Sequence, residues 1–269
     1  MPELPDVELF KNYVESTSLH KTITEVSVKN NQVLEDITEN ELKEKLTSKE
    51  FISSRRYGKY LFINVSEEFW LVMHFGMTGN LKYFKAMQDE PSHDRFLISF
   101  ENGYHLAFDC QRKFGRVTTT PKVEDFVEKK KLGKDALELD FHSFKEIMKK
   151  RRGTVKYTLI NQHIIAGMGN IYSDETIFQT GVHPKTKINE LDSQALKDLF
   201  NNMKRILNTA IRNHADPSEI PEDYLLTNRS EGTECPRCGG EIRTLKFSGR
   251  TAYFCPNHQK LVVSLACFC

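Results

Sequence analysis

Apolar residues recur at helical spacing near the start of the chain, at Val7, Phe10 and Val14. Pro5 precedes them and suits a first helical turn, where a missing N–H costs nothing. An N-terminal helix is predicted. The pattern then changes. "KYLFINV" and "FWLVMHF" are dense in aromatic and β-branched residues, and residues 59–120 read as strands. "RFLISFENGYHLAF" sets Asn102-Gly103 between two strand-like runs, a hairpin signal. Residues 1–120 are therefore predicted to form a β-sandwich with a flanking helix. Residues 121–140 are charged and broken by Pro121 and Gly133, and read as a linker. Residues 141–230 turn helical. Leu196, Leu199, Phe200, Met203, Ile206, Leu207, Ala210 and Ile211 form one apolar face, with Asp192 or Ser193 as the cap. Residues 215–231 read as a second loop, and 231–269 as a small cysteine-rich tail. The fold class is α+β, multidomain.

Composition narrows this picture. The 269 residues are 39% hydrophobic and 28% charged, as in soluble folded proteins. Net charge is only +1, so a nucleic-acid surface would have to arise from local clustering. No basic stretch followed by an apolar core opens the chain, and no apolar run approaches the ~18 residues of a membrane span. A cytoplasmic protein with no membrane partner is expected.

Five of the six cysteines lie between 235 and 269. Such clustering in a reducing compartment favours metal over disulfides. Cys235 and Cys238 are two residues apart, as are Cys255 and His258, and the 16 residues between the pairs suit a β-hairpin. Three thiolates and an imidazole give a closed tetrahedral site for one structural Zn2+. Cys267 and Cys269 are alternatives to His258. Arg243, Lys246 and Arg250 lie on the hairpin, where small zinc modules often meet phosphates.

The first residues carry candidate chemistry. Removal of Met1 would leave Pro2 with a free secondary amine beside Glu3. A helix N-terminus disfavours an ammonium there, and an α-amino group has an ordinary pKa near ~7.7–8.0. Part of it is thus unprotonated at neutral pH and able to form a Schiff base.

Six segments, in order, carry a resemblance: "PELPDVE", "YGKYL", "HFGMTG", "RKFG", "GMGNIYSDE" and the zinc module. Together the chain resembles the Fpg/Nei DNA glycosylases, in the formamidopyrimidine-DNA glycosylase branch. The resemblance implies a β-sandwich, a helix–two-turn–helix domain at 141–230 and a zinc finger at 231–269, with duplex DNA in the cleft. It implies base-excision repair: excision of oxidised bases, then β,δ-elimination at the abasic site. By the same resemblance Pro2 is the nucleophile, Glu3 its acid/base partner, and Lys59 a lysine at the phosphate beside the lesion. His74, Lys156, Asn170 and Arg250 are DNA contacts. Met77, Arg112 and Phe114 fill the gap left by a flipped base.

Two other readings stay open: a Nei-like preference for oxidised pyrimidines, and a non-enzymatic zinc protein that binds damaged DNA. The partner is expected to be double-stranded DNA with oxidised or abasic sites, bound by a monomer. Departures from the family pattern are Asp6 in place of Glu, one extra residue before Phe114, His258 as the fourth ligand, and a short segment before the zinc module lacking Gly-Thr-Thr. The last predicts that 8-oxoguanine is processed no better than formamidopyrimidines.

Overall fold

Glu3 caps the first helix, α1 (Leu4–Thr17), in a reciprocal capping box. Its backbone N–H donates to Asp6 Oδ2 at 2.8 Å, while its own carboxylate accepts from the Asp6 backbone. The shorter Asp6 therefore still closes the box. Leu4, Val7 and Val14 turn into the core.

The computed structural model describes residues 1–247 and 249–260, divided into two compact units, Met1–Lys131 and Leu132–Cys269. In the first unit the strands are β1 (Ile23–Val28), β2 (Phe51–Tyr57), β3 (Tyr60–Val65), β4 (Phe69–His74), β5 (Gly79–Phe84), β6 (Asp94–Phe100), β7 (His105–Cys110) and β8 (Arg116–Thr120). They form two antiparallel sheets, ordered β1-β6-β7-β5 and β2-β3-β4-β8. Their facing residues, including Ile63, Leu71, Phe96 and Phe108, share one core with α1. The Asn102-Gly103 hairpin forms as predicted, with Ser99 opposite His105 and Gly103 at φ +76°.

The apolar run of β3 has no alternation because both its faces are covered. Leu61 and Ile63 point into the sandwich, while Phe62 meets Val123 and Phe126 of α3 (Val123–Lys129). Between β1 and β2 lies α2 (Glu39–Leu46). The segment read as a linker is thus structured. Pro121 and the surrounding charges concealed a short amphipathic helix, and Lys134–Asp135 forms strand β9 in the second unit.

That unit holds α4 (Phe141–Lys149), α5 (Val155–Ile160), α6 (Asn170–Gln179) and α7 (Ser193–Arg212), with β9 parallel to β10 (Ile165–Ala166). Asp192 caps α7 by accepting from Ala195 N at 2.7 Å. Six of the eight apolar residues predicted for its face are buried; Phe200 and Ile211 are half-buried. The 215–231 stretch buries Ile220, Tyr224 and Leu225 and includes two 3-10 turns. The hairpin is β11 (Arg243–Phe247) and β12 (Arg250–Phe254), paired in register across a two-residue turn. Ser248 at its tip, and Cys267 and Cys269, lie outside the described residues. No helix among the described residues is long and apolar enough to cross a membrane.

Candidate active site

Pro2 is half-buried and Glu3 fully buried, directly before α1. Burial pushes the Asp6 carboxyl up, the Glu3 backbone N–H draws it down, and the Glu3 charge adds to the rise. Lys59 sits in the two-residue turn between β2 and β3. Gly58 there has φ +58°, a conformation that costs glycine little. Arg56, which sequence reasoning missed, supports this turn. It is buried, and donates from Nε to Glu8 Oε2 at 2.6 Å and from Nη1 to the Gly58 carbonyl at 3.1 Å. It therefore joins α1 to the Lys59 turn. One arginine in "SRRYGK" gave no hint of which partner it would take.

His74 ends β4 opposite Tyr60, with ring centroids 4.9 Å apart. Burial, and then the Lys59 charge, push its pKa down to about 4. Its Nδ1 accepts from Gly76 N at 3.3 Å, so the neutral ring carries its hydrogen on Nε2. At neutral pH it can donate a hydrogen bond to a phosphate but brings no charge.

Met77 lies in the turn between β4 and β5, and Arg112 and Phe114 in the loop between β7 and β8. The two loops abut. Gly76 has φ +58°, and a Cβ there would stand 2.4 Å from the Phe114 carbonyl carbon, so no other residue fits without displacing backbone. Arg112 N donates to Thr78 Oγ1 at 3.1 Å, and its guanidinium lies 5.2 Å from the Phe114 ring centre. Met77 is 39% and Phe114 50% exposed, so neither is core. Two apolar side chains held outward on adjoining tight loops, beside a guanidinium fork, have the chemistry of a base-stack wedge.

In the second unit Asn170 opens α6 and donates from Nδ2 to the Thr251 carbonyl of β12 at 2.8 Å. Arg250, the first residue of β12, is exposed. Lys156 requires a correction. Expected at the DNA surface, it is fully buried, donating to Asp174 Oδ1 at 2.5 Å and Ser173 Oγ at 3.2 Å. Asp174, unnoticed in the sequence, draws the ammonium inward. Burial pushes the Asp174 carboxyl up, and Lys156 and Arg229 oppose the rise.

Cys235, Cys238 and Cys255 bring their sulfurs within 4.8 Å of one another. Gly239 at φ +70° turns the chain after the first pair, with Cys235 N donating to the Gly240 carbonyl at 2.6 Å. Burial pushes the Cys235 thiol up to about 11, while the Gly240 amide pulls Cys238 down. A divalent cation would displace these protons, and three convergent sulfurs fit zinc. His258 is not part of this cluster. Its Nε2 meets the Phe178 carbonyl at 2.9 Å and its ring lies 4.7 Å from that of Phe178. The carbonyl can only accept, so Nε2 carries the ring hydrogen and Nδ1 keeps its lone pair.

A β-sandwich with two exposed apolar side chains on adjoining loops, followed by a helical unit carrying a three-cysteine hairpin, has the architecture of a zinc-containing DNA glycosylase. Three family models match in the same order: the formamidopyrimidine-DNA glycosylase N-terminal domain over 1–117, the formamidopyrimidine-DNA glycosylase H2TH domain over 132–221, and the zinc finger found in FPG and IleRS over 232–257. The formamidopyrimidine-DNA glycosylase of Pelotomaculum thermopropionicum is 33% identical, with 97% of this chain and 100% of that protein covered. That of Mycoplasma mobile is 29% identical at the same coverage. The crystal structure of Lactococcus lactis Fpg with abasic-site DNA has a TM-score of 0.87 at 28% identity, covering 96% of this chain and 100% of that one. The chain belongs to the formamidopyrimidine-DNA glycosylase family, and its finger is of the type that holds one structural zinc.

Proposed function

We propose that this chain is a base-excision repair enzyme, a bifunctional glycosylase and abasic-site lyase acting as a cytoplasmic monomer on duplex DNA. Its substrates are oxidised bases, formamidopyrimidines among them, with 8-oxoguanine processed no better than these. The reading rests on one observation above all, the buried Glu3 directly after Pro2, whose nitrogen becomes a free secondary amine once Met1 is removed. The Lactococcus lactis relative has been crystallised with DNA containing an abasic site and with DNA containing FAPY-dG.

The geometry suggests the following sequence. Met77 and Phe114 enter the stack as the damaged nucleotide leaves it, and Arg112 meets the base left unpaired. The Pro2 amine attacks C1′. The bond from C1′ to the base breaks and the base leaves as an anion that water protonates, while Glu3 takes the proton shed by the amine and passes it to O4′ as the sugar opens. The product is an iminium, permanently cationic because the amine is secondary. It draws electrons from C2′, the Glu3 carboxylate accepts a C2′ proton, and the 3′ phosphate is eliminated. A second elimination releases the 5′ phosphate, and hydrolysis frees Pro2. Lys59 and the His74 Nε2–H hold phosphates beside the lesion, and Asn170 and Arg250 hold the backbone from the second unit. Bound at the cysteines, zinc supplies structural cross-linking of the hairpin.

Borohydride reduction during reaction with an abasic duplex tests the reading. A covalent adduct is expected, and peptide mapping should place it on Pro2 of a chain lacking Met1. An adduct on Lys59, or none in active protein, defeats the assignment. Arg112 carries a separate expectation. Arg112→Ala should flatten the ratio of excision rates across the four bases opposite the lesion by roughly tenfold, the lower range of discrimination by one bidentate contact. Unchanged ratios would show that the extra residue before Phe114 has misplaced this role.

A further inference from the structure

Asp174 lies one helical turn beyond Asn170 on α6, and its carboxylate is divided among three segments. Oδ1 accepts from Lys156 of α5 at 2.5 Å. Oδ2 accepts from Arg229 Nη2, in the stretch after α7, at 2.7 Å, and faces the Tyr253 N–H of β12 at 3.4 Å. The Arg229 guanidinium also covers the Tyr253 ring, 4.4 Å from its centre. Asn170 adds a parallel tie to the Thr251 carbonyl. The hairpin is therefore joined to α6 at two alternate residues of one strand, Thr251 and Tyr253. Beneath them lies a small apolar cluster of Phe178, Leu225, Ile242 and the cysteines.

The apolar cluster attracts without direction, and would tolerate β12 sliding or tilting on α6. The carboxylate does not. Its oxygens are carried by α6, and the charge-assisted hydrogen bonds they accept are directional. Without its charge, Lys156 and Arg229 would face each other across a buried space with no anion between them. Arg250 stands three residues before Tyr253 on the same strand and has no comparable anchor among the described residues. Its placement follows that of β12.

We propose that Asp174 is a positioning residue for DNA binding, whose carboxylate fixes β12 on α6 and so sets where Arg250 meets a backbone phosphate. This rests on the glycosylase reading and its assignment of Arg250.

The test uses the full zinc-loaded chain with Asp174→Asn, which keeps the shape and removes the charge. Zinc content should stay at one per chain, and adduct formation at saturating enzyme should stay within about twofold. Affinity for a duplex with an abasic-site analogue should fall roughly tenfold, about one charge-assisted contact. The slope of log K against log salt should shrink by ~0.9, the signature of one lost phosphate contact. Arg250→Ala should reproduce both changes, and adding Asp174→Asn to it should weaken binding by no more than about twofold. Affinity and slope unchanged in Asp174→Asn would overturn the proposal, as would losses that multiply in the double variant. If Asp174→Asn fails to fold or to hold zinc, Arg229→Gln removes one cation from the more exposed side and carries the same comparisons. Wild-type chain that binds duplex but forms no adduct would sink the glycosylase reading instead, leaving the salt slopes to judge Asp174.

Discussion

Glu3→Gln is expected to lower base excision by roughly two to four orders of magnitude, the usual range for a positioned acid or base. Nicking of a preformed abasic duplex should fall far less. The difference follows from the chemistry. Excision must break a glycosidic bond and needs a proton delivered as the sugar opens. A preformed abasic site has already lost its base, and its open aldehyde form meets the Pro2 amine directly. The substitution is also structurally conservative. Glu3 caps α1 through a carboxylate oxygen, and the glutamine carbonyl can accept the same Asp6 N–H. Losing the cap altogether would cost about 1 kcal/mol, too little to account for such a rate change in a folded chain. Released base and strand nicking should be measured separately on matched duplexes. Equal losses in the two assays would remove Glu3 from excision and leave it a helix cap.

The larger elements were legible because their signals were local. The apolar face from Leu196 to Ala210 repeats over several turns, and Asn102-Gly103 states its turn chemistry in two residues. The short elements were not. β1 is six residues with exposed Thr24 and Glu25, and α3 gives only Val123 and Phe126 to the core among many charges. Their burial is decided by what packs against them. The site divides in the same way. Met77 and Phe114 were singled out through family motifs, and both side chains are exposed. Lys156 misled because a lysine in a DNA-binding motif suggests a surface contact, whereas its partner Asp174 lies 18 residues away and meets it only after folding. Arg56 escaped notice for the same reason, since Glu8 is 48 residues distant.

His258→Ala is expected to lower zinc content and DNA affinity together, and His258→Cys to restore both. The three cysteine sulfurs already converge, and a closed structural site needs a fourth ligand. His258 follows Cys255 at the spacing that Cys238 follows Cys235. Its Nε2 is engaged by the Phe178 carbonyl, so the ring can offer the metal Nδ1 while its other nitrogen stays bonded to helix α6. A zinc-bound histidine commonly has such a backbone partner, which fixes its tautomer and orientation. His258→Cys supplies the ligand but not the bond to Phe178. Zinc should therefore return fully, while the finger should release it to a chelator more readily than in the parent chain, by about tenfold if this outer contact has its usual weight. Metal removal from the parent should unfold the hairpin and weaken DNA binding, because so small a segment derives much of its folding free energy from the ion. The β-sandwich, with its own core, should keep its thermal transition. Full zinc occupancy in His258→Ala would place the fourth ligand elsewhere, on Cys267, Cys269 or water, and would leave His258 as a clasp between the finger and Phe178.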